Sequence, residues 1–314
     1  MLTLPIFLEL VEIKTKLASL FPFLLGMLYA SYHFSSFNFF NTLLFFIAMI
    51  VFDMATTAIN NTMDYVKAKN TLYRNEENIL GKAGISVKKA TQLIIGMVSF
   101  AAVVGLVLTY RTNVLLLILG IVCFLVGIFY TFGPFPISRM PLGEVLSGIT
   151  MGFGIFFIAV FINVPESYLM YLSVDWPLFS LEGNIVSVLV VFLNSLPLVF
   201  TIANIMLANN ICDYETDISN HRYTLVYYIG KPIALKVYAI LYYSVFVAIV
   251  LAVLLGTTTP WMLAVLLLFP LIQRNIKRFV ANPDKATTFG IAIKNLVLLH
   301  SLQIVLLVIG IIFS

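Results

Sequence analysis

Residues 38–65 read NFFNTLLFFIAMIVFDMATTAINNTMDY, and the change of character along that stretch decides the fold. Its first half is almost wholly apolar, as a helix crossing a bilayer core about 30 Å thick and needing roughly 20 apolar residues must be. Its second half carries Asp53, Thr57, Asn60, Asn61 and Asp64. Their successive spacing puts them on one stripe of an α-helix. Ionisable groups inside a span are costly and turn away from lipid. The stripe therefore predicts a bundle of membrane helices enclosing a polar site at one membrane surface.

The rest of the chain agrees with that reading. Of 314 residues, 61% are hydrophobic and only 10% are charged, with a mean hydropathy of +1.04. A soluble domain carries about 25% charged residues, so the composition predicts an integral membrane protein. It excludes a disordered chain, a disulfide-stapled secreted fold and a nucleic-acid-binding domain. Cys123 and Cys212 are read as packing residues. Apolar stretches predict nine spans, at about 15–34, 38–60, 91–110, 113–132, 143–163, 185–209, 233–255, 260–280 and 289–313. The fold class expected is all-α integral membrane, one polytopic domain over residues 1–314. Residues 1–13, which carry Glu9 and Glu12 and no basic run, read as an amphipathic surface helix rather than a cleaved leader.

The loops give the orientation. Seventeen of the eighteen Lys and Arg residues fall on one face, Arg111 being the exception, whereas segment 164–184 carries Glu166, Asp175 and Glu182 and no basic residue. Basic residues are retained in the cytoplasm, so the N-terminus is expected there and the C-terminus outside.

A second polar stripe closes span six, where Asn209, Asp213 and Asp217 recur every four residues and Asn210 precedes Asp213 by three. The stretches NNTMDY at 60–65 and NNICDY at 209–214 resemble each other, and both end a span and open a basic loop. Their offset predicts a duplicated four-helix unit, two such units plus one further helix. Asn and Asp also cap helices and bond neighbouring helices. Two matched clusters on the cytoplasmic side fit a shared site better. Mg²⁺ takes oxygen ligands and is held by one or two carboxylates plus substrate phosphates, so paired Asp faces suit a bridged diphosphate, with Lys67 and Arg222 close by in sequence. Two Mg²⁺, one diphosphate, Asp64, Asp213, Asp217, Lys67 and Arg222 sum to about zero charge. The diphosphate would sit at the cytoplasmic rim and its apolar tail between helices.

These residues resemble the UbiA superfamily of intramembrane prenyltransferases, a nine-helix bundle with an NxxxD motif after helix two and a DxxxD motif after helix six. The matching positions are Asn60 to Asp64 and Asp213 to Asp217. Within the superfamily the chain is most similar to the 1,4-dihydroxy-2-naphthoate polyprenyltransferases, through KTKLASLFPFLLG at 14–26, YTFGPFPISRMPLGE at 130–144 and NNICDYETDISNHRYTL at 209–225. Asn61 and Asn70 stand where that family commonly has Asp. The resemblance implies Mg²⁺-dependent transfer of a polyprenyl group from polyprenyl diphosphate to an aromatic acceptor, with decarboxylation to demethylmenaquinone where the acceptor is the naphthoate. It implies a multi-pass cell-membrane enzyme whose site faces the cytoplasm.

On that reading Asn60, Asp64, Asp213 and Asp217 hold metal and diphosphate, joined by Asn209 or Asn210. Lys67 and Arg222 clamp the diphosphate, and Lys14 or Arg139 meets the anionic acceptor. Tyr130 shields the allylic cation with its ring face, the alternative being a belt tyrosine. Asp53 is read as a bond to another helix, Glu144 as a loop anchor and His300 as a satisfied core histidine. Other acceptors of the same superfamily are 4-hydroxybenzoate, homogentisate, haem and a lipid glycerol phosphate. CDP-alcohol phosphotransferases expect DGxxAR followed by GxxxDxxxD, which is absent here. An ion-coupled transporter would place its polar groups near the bilayer midplane, not at helix ends.

Overall fold

A computed structural model describes residues 3–68, 71, 73–133 and 136–313. It is a helical bundle with α1 (Leu4–Leu10), α2 (Leu17–His33), α3 (Phe39–Lys67), α4 (Ile79–Lys82), α5 (Val87–Arg111), α6 (Leu115–Phe129), α7 (Gly143–Ser147) and α8 (Ile155–Phe161) in its first part. The second part holds α9 (Ile185–Cys212), α10 (Tyr214–Ser219), α11 (Leu225–Ile229), α12 (Lys231–Leu254), α13 (Phe269–Ala281) and α14 (Gly290–Ile312). Among the described residues seven helices are long and apolar enough to cross a membrane: Ile13–His33, α3, α5, Gly143–Phe161, α9, α12 and α14. Two further expected spans take shorter forms. α6 is a shorter apolar helix. The segment expected at 260–280 is a 3-10 helix, Pro260–Leu268, running into the strongly amphipathic α13, where Ile272, Ile276 and Phe279 are buried while Arg274, Lys277 and Arg278 face outward. Pro270 and those three cations prevent one uniform apolar rod.

The acidic segment between α8 and α9 contains an antiparallel hairpin of β1 (Met170–Asp175) and β2 (Leu178–Gly183). Asn113 at the α5–α6 link fixes its base: its Oδ1 accepts the Leu172 N–H at 3.0 Å and its Nδ2 donates to the Glu166 carboxylate at 3.1 Å. Of the expected surface helix at residues 1–13, the described part, from Thr3 on, holds the one short helix α1. α1 is a short helix whose Leu10, with Val11 behind it, is buried, Leu10 lying against Ala55, Ala58, Ile79 and Leu80.

α3 packs along α5 and α9 along α12, the pairs that correspond under the offset between the two Asn-Asn motifs. α3 and α9 also begin alike. Asn38 and Asn184 are N-caps whose side chains accept the N–H groups of Asn41 at 3.0 Å and Ser187 at 3.1 Å, satisfying donors a helix start leaves orphaned. Between α7 and α8 the chain makes a π-helical stretch, Gly148–Gly154, pressed onto α9. A Cβ at Gly152 would lie 2.7 Å from the Val199 backbone and one at Gly148 2.8 Å from the Val199 carbonyl oxygen. Small residues four apart let two helices approach this closely. That contact sets the position of α7, and with it Glu144, against the end of α9.

Candidate active site

A cavity of about 640 Å³ lies among α2, α3, α5, α6, the Gly148–Gly154 stretch and α9. It follows α3 from Phe45 to Asn60, about 22 Å at 1.5 Å per residue. Phe45, Met49, Phe52, Phe124, Ile158 and Ile202 line its apolar length, while Asp53, Thr57, Asn60, Tyr130, Thr131 and Ser147 give it a polar end. A long apolar chamber ending in carboxamide, hydroxyl and carboxylate groups suits a ligand with an apolar tail and a polar head.

The polar stripe of α3 divides its tasks. Asp53 forms an ion pair with the buried Lys16 at 2.7 Å; Lys16 also donates to Thr57 Oγ1 at 2.6 Å, and Ser19 Oγ donates to the second Asp53 oxygen at 2.5 Å. Asp53 therefore bonds another helix, as its position implied. Asn60 accepts the Thr131 hydroxyl at 3.1 Å. Asn61 points elsewhere: its Nδ2 donates to the Leu10 carbonyl at 2.9 Å and to the Glu12 carboxylate at 3.2 Å. Asp64 lies within electrostatic reach of Arg222, Arg139 and Lys67.

The second motif is broken where a continuous stripe was expected. α9 stops at Cys212, Asp213 is the junction, and Asp217 belongs to the separate helix α10. The neighbouring asparagines part company. Asn210 is buried and donates to Glu144 Oε1 at 2.8 Å, whereas Asn209 and Asp213 both receive the Lys285 ammonium, Asp213 at 2.6 Å. Arg222 Nη1 stands 3.4 Å from Asp217 Oδ1, and its backbone N–H donates to the Asp217 carbonyl at 2.8 Å. Burial pushes the Asp217 carboxyl up to about 6 against the pull of Arg222, and the nearby Asp213 charge adds to the rise. Arg222 and Arg139 lie close enough to act electrostatically on both Asp64 and Asp217. The two motifs thus flank a shared pair of guanidinium groups.

Among the described residues, Asp217 Oδ2, Asn210 Oδ1, Glu144 Oε2, Arg222 Nε and Tyr130 Oη are buried and have no hydrogen-bond partner. Such orphans cost free energy unless a ligand satisfies them. Among the described residues no three His, Cys, Asp or Glu side chains gather as a metal cage. The oxygen-only donors, on α3, at the α9–α10 junction and on α10, are of the type that suits a hard cation completing its shell with water and phosphate oxygens. Asn60, Asp64, Asp213 and Asp217 carry the carboxamide and carboxylate oxygens that Mg²⁺ takes.

Lys14 is not brought to this site. It is exposed in the 3-10 turn Ile13–Lys16, from which Thr15 lines the cavity and Lys16 is buried against Asp53. Lys67 is exposed at the end of α3. Asn70 and Lys69 lie outside the described residues. Tyr130 is no exposed belt residue, since its hydroxyl is buried and its ring borders the cavity. His300 is a satisfied core histidine between Thr201 at 2.7 Å and Gln303 at 2.6 Å. Sequence reasoning missed Lys16 and Lys285. The first had a usable signal, a lysine opening one span opposite an aspartate within the next. The second had none, lying 72 residues from Asp213.

The sequence model of the UbiA prenyltransferase family matches residues 19–309. The 1,4-dihydroxy-2-naphthoate octaprenyltransferase of Bacillus subtilis (strain 168) is 28% identical over 282 residues, covering 87% of this chain and 82% of that protein. The fold is similar to that of a UbiA homolog from Archaeoglobus fulgidus bound to GPP and Mg²⁺, with a TM-score of 0.65, 14% identity and coverage of 98% of this chain and 99% of that one. It is likewise similar to a structure of digeranylgeranylglyceryl phosphate synthase in membranes, with a TM-score of 0.66, 18% identity and full coverage of both chains. At these identities the structural likenesses establish the fold. The match over nearly the whole sequence establishes the family: the chain belongs to the UbiA prenyltransferase family and is a prenyltransferase.

Proposed function

We propose that the chain transfers a polyprenyl group from polyprenyl diphosphate to 1,4-dihydroxy-2-naphthoate, in a Mg²⁺-dependent reaction that releases the acceptor carboxylate as CO₂ and yields the quinol form of demethylmenaquinone. The observation that carries this reading is the pairing of a long apolar cavity with a cluster of unsatisfied polar atoms between the two Asn/Asp motifs. The naphthoate rests on the B. subtilis relative, whose name states that acceptor. The nine apolar segments are proposed to cross the cell membrane as two four-helix units plus α14, with the N-terminus and the site on the cytoplasmic side.

Asn60, Asp64, Asp213 and Asp217 would hold the metal-bound diphosphate, with Asn209 and Asn210 behind the second motif. Mg²⁺ supplies charge stabilisation to the departing diphosphate. Arg222 and Arg139, reaching both motifs, and Lys67 at the rim offset the negative charge that grows on the leaving group as the allylic C–O bond breaks. The Tyr130 ring and the Phe52 and Phe124 side chains exclude water from the allylic cation and present π-faces to it. The acceptor ring then attacks C1 of the prenyl group, and decarboxylation restores its aromaticity. Lys16 fixes Asp53 and Thr57 at the polar end, so the site's floor does not depend on the ligand.

Purified protein in detergent tests this. Geranyl diphosphate is offered with 1,4-dihydroxy-2-naphthoate or 4-hydroxybenzoate, with and without Mg²⁺. The reading expects a prenylated naphthoquinol and CO₂ only when Mg²⁺ is present. Product from the benzoate alone would move the acceptor, and product independent of any divalent ion would overturn the metal role.

A further inference from the structure

Lys285 sits in the turn joining α13 to α14, and that turn is tightly tied. Asp284 Oδ1 accepts the Thr287 N–H at 2.8 Å and the Thr287 hydroxyl at 2.6 Å. Thr288 Oγ1 accepts the Asp284 N–H at 2.9 Å and donates to the Asn282 carbonyl at 2.7 Å. The turn therefore holds the Lys285 backbone in place and leaves only its side chain free to move. The ammonium lies where two oxygens of the second motif converge, Asp213 Oδ2 at 2.6 Å and Asn209 Oδ1. It also stands 4.9 Å from the centre of the Phe289 ring. A divalent cation using Asp213 and Asn209 would need those same oxygens.

We propose that Lys285 is an exchange cation, a positioning residue that holds the second motif in the substrate-free protein and turns to the diphosphate when metal takes the Asp213 and Asn209 oxygens. This rests on the reading that Asp213 belongs to a metal-diphosphate site. Three observations support it. The Lys285 side chain is 48% exposed, so it can leave without stranding a buried charge. An exposed ion pair contributes only about 0.2–1 kcal/mol, weak enough to be displaced. The lysine stem is flexible and its ammonium is a point charge that phosphate oxygens accept from any direction. Metal alone must evict Lys285, whereas metal arriving with diphosphate gives the lysine a new partner. The two ligands therefore help each other bind.

The test measures Mn²⁺ binding by electron paramagnetic resonance on full-length detergent-solubilised protein, with and without a non-ionisable geranyl diphosphate analogue. Lys285→Met should tighten Mn²⁺ binding to the analogue-free protein by up to about fivefold, weaken analogue binding at saturating Mn²⁺, and shrink the cooperativity between them. Lys285→Arg should retain most of that cooperativity. Asp213→Asn is the control and should weaken Mn²⁺ binding in both conditions. Unchanged Mn²⁺ affinity in Lys285→Met, beside a weakened Asp213→Asn, would overturn the exchange role while leaving the metal site standing. Unchanged Mn²⁺ affinity in Asp213→Asn would overturn the metal site itself. A parallel loss of both affinities and of thermal stability, in Lys285→Met and Lys285→Arg alike, would mean that Lys285 only holds the turn.

Discussion

Asp217 shows how one side chain can be poised for a ligand. Its carboxyl is pushed up to about 6 from the ordinary 3.8 by burial, against the pull of Arg222, so the folded chain holds this proton more tightly than the unfolded chain does. Its contribution to stability is therefore complete below about pH 4 and is lost as pH rises through about 6. Binding of a metal-diphosphate needs the carboxylate and reverses the preference. Mg²⁺-dependent affinity for prenyl diphosphate should climb through about pH 6 and then level off, which calorimetry across that range checks. Asp217→Asn should abolish this pH dependence, cut transfer about 100-fold, and leave the ligand-free protein no less stable at neutral pH. Asn61 makes the opposite point. The resemblance drawn from the sequence implied Asp here, yet the Asn61 amide donates to the Leu10 carbonyl and the Glu12 carboxylate, which a carboxylate cannot do. Asn61→Asp should lower stability by about 1–3 kcal/mol and lower Tm without raising activity. A more active or more stable variant would return Asn61 to the metal site.

At the scale of elements, close helix contact carries the geometry. Gly152 lets the π-helical stretch touch the Val199 backbone, and a Cβ there would come within 2.7 Å of atoms that cannot rotate away. Gly152→Leu should shift α7 relative to α9, disturb the Glu144–Asn210 bond, and reduce transfer more than tenfold, the scale at which a misplacement of about 1 Å registers. Gly96→Ala, whose added Cβ would meet nothing within 4 Å beyond its own helix backbone among the described residues, is the control and should be neutral or stabilising by up to about 1 kcal/mol. Equal behaviour of the two variants would sink this account of the contact. Neither the contact nor the α9–α10 break at Asp213 was legible in the sequence. A one-dimensional period continues through Asp217, whereas α9 ends at Cys212 and α10 begins at Tyr214, with Asp213 between them at φ −90° and ψ 9°.

Across the whole molecule, apolar run length located the helices well, because burial and lipid exposure both reward it. The long helices lie within a few residues of the expected spans. What run length could not give was fine structure outside the bilayer, such as the β1–β2 hairpin, or the partner of a charge distant in sequence, such as Lys285 for Asp213. The basic loops also predict sidedness. With Cys123 and Cys212 replaced by Ser, a membrane-impermeant thiol reagent should label Ser173→Cys in the hairpin of intact cells and spare Lys88→Cys; the reverse pattern would invert the orientation. The central claim is that motifs from two halves of the chain hold one ligand. Its most direct measurement is the Mg²⁺-dependent affinity for a non-ionisable geranyl diphosphate analogue in wild type, Asp64→Asn, Asp213→Asn and the double variant. A shared ligand predicts strong loss in each single variant and a clearly non-additive double, with a coupling energy of at least about 0.5 kcal/mol. Additive losses, or an analogue affinity untouched by one of the two substitutions, would contradict it.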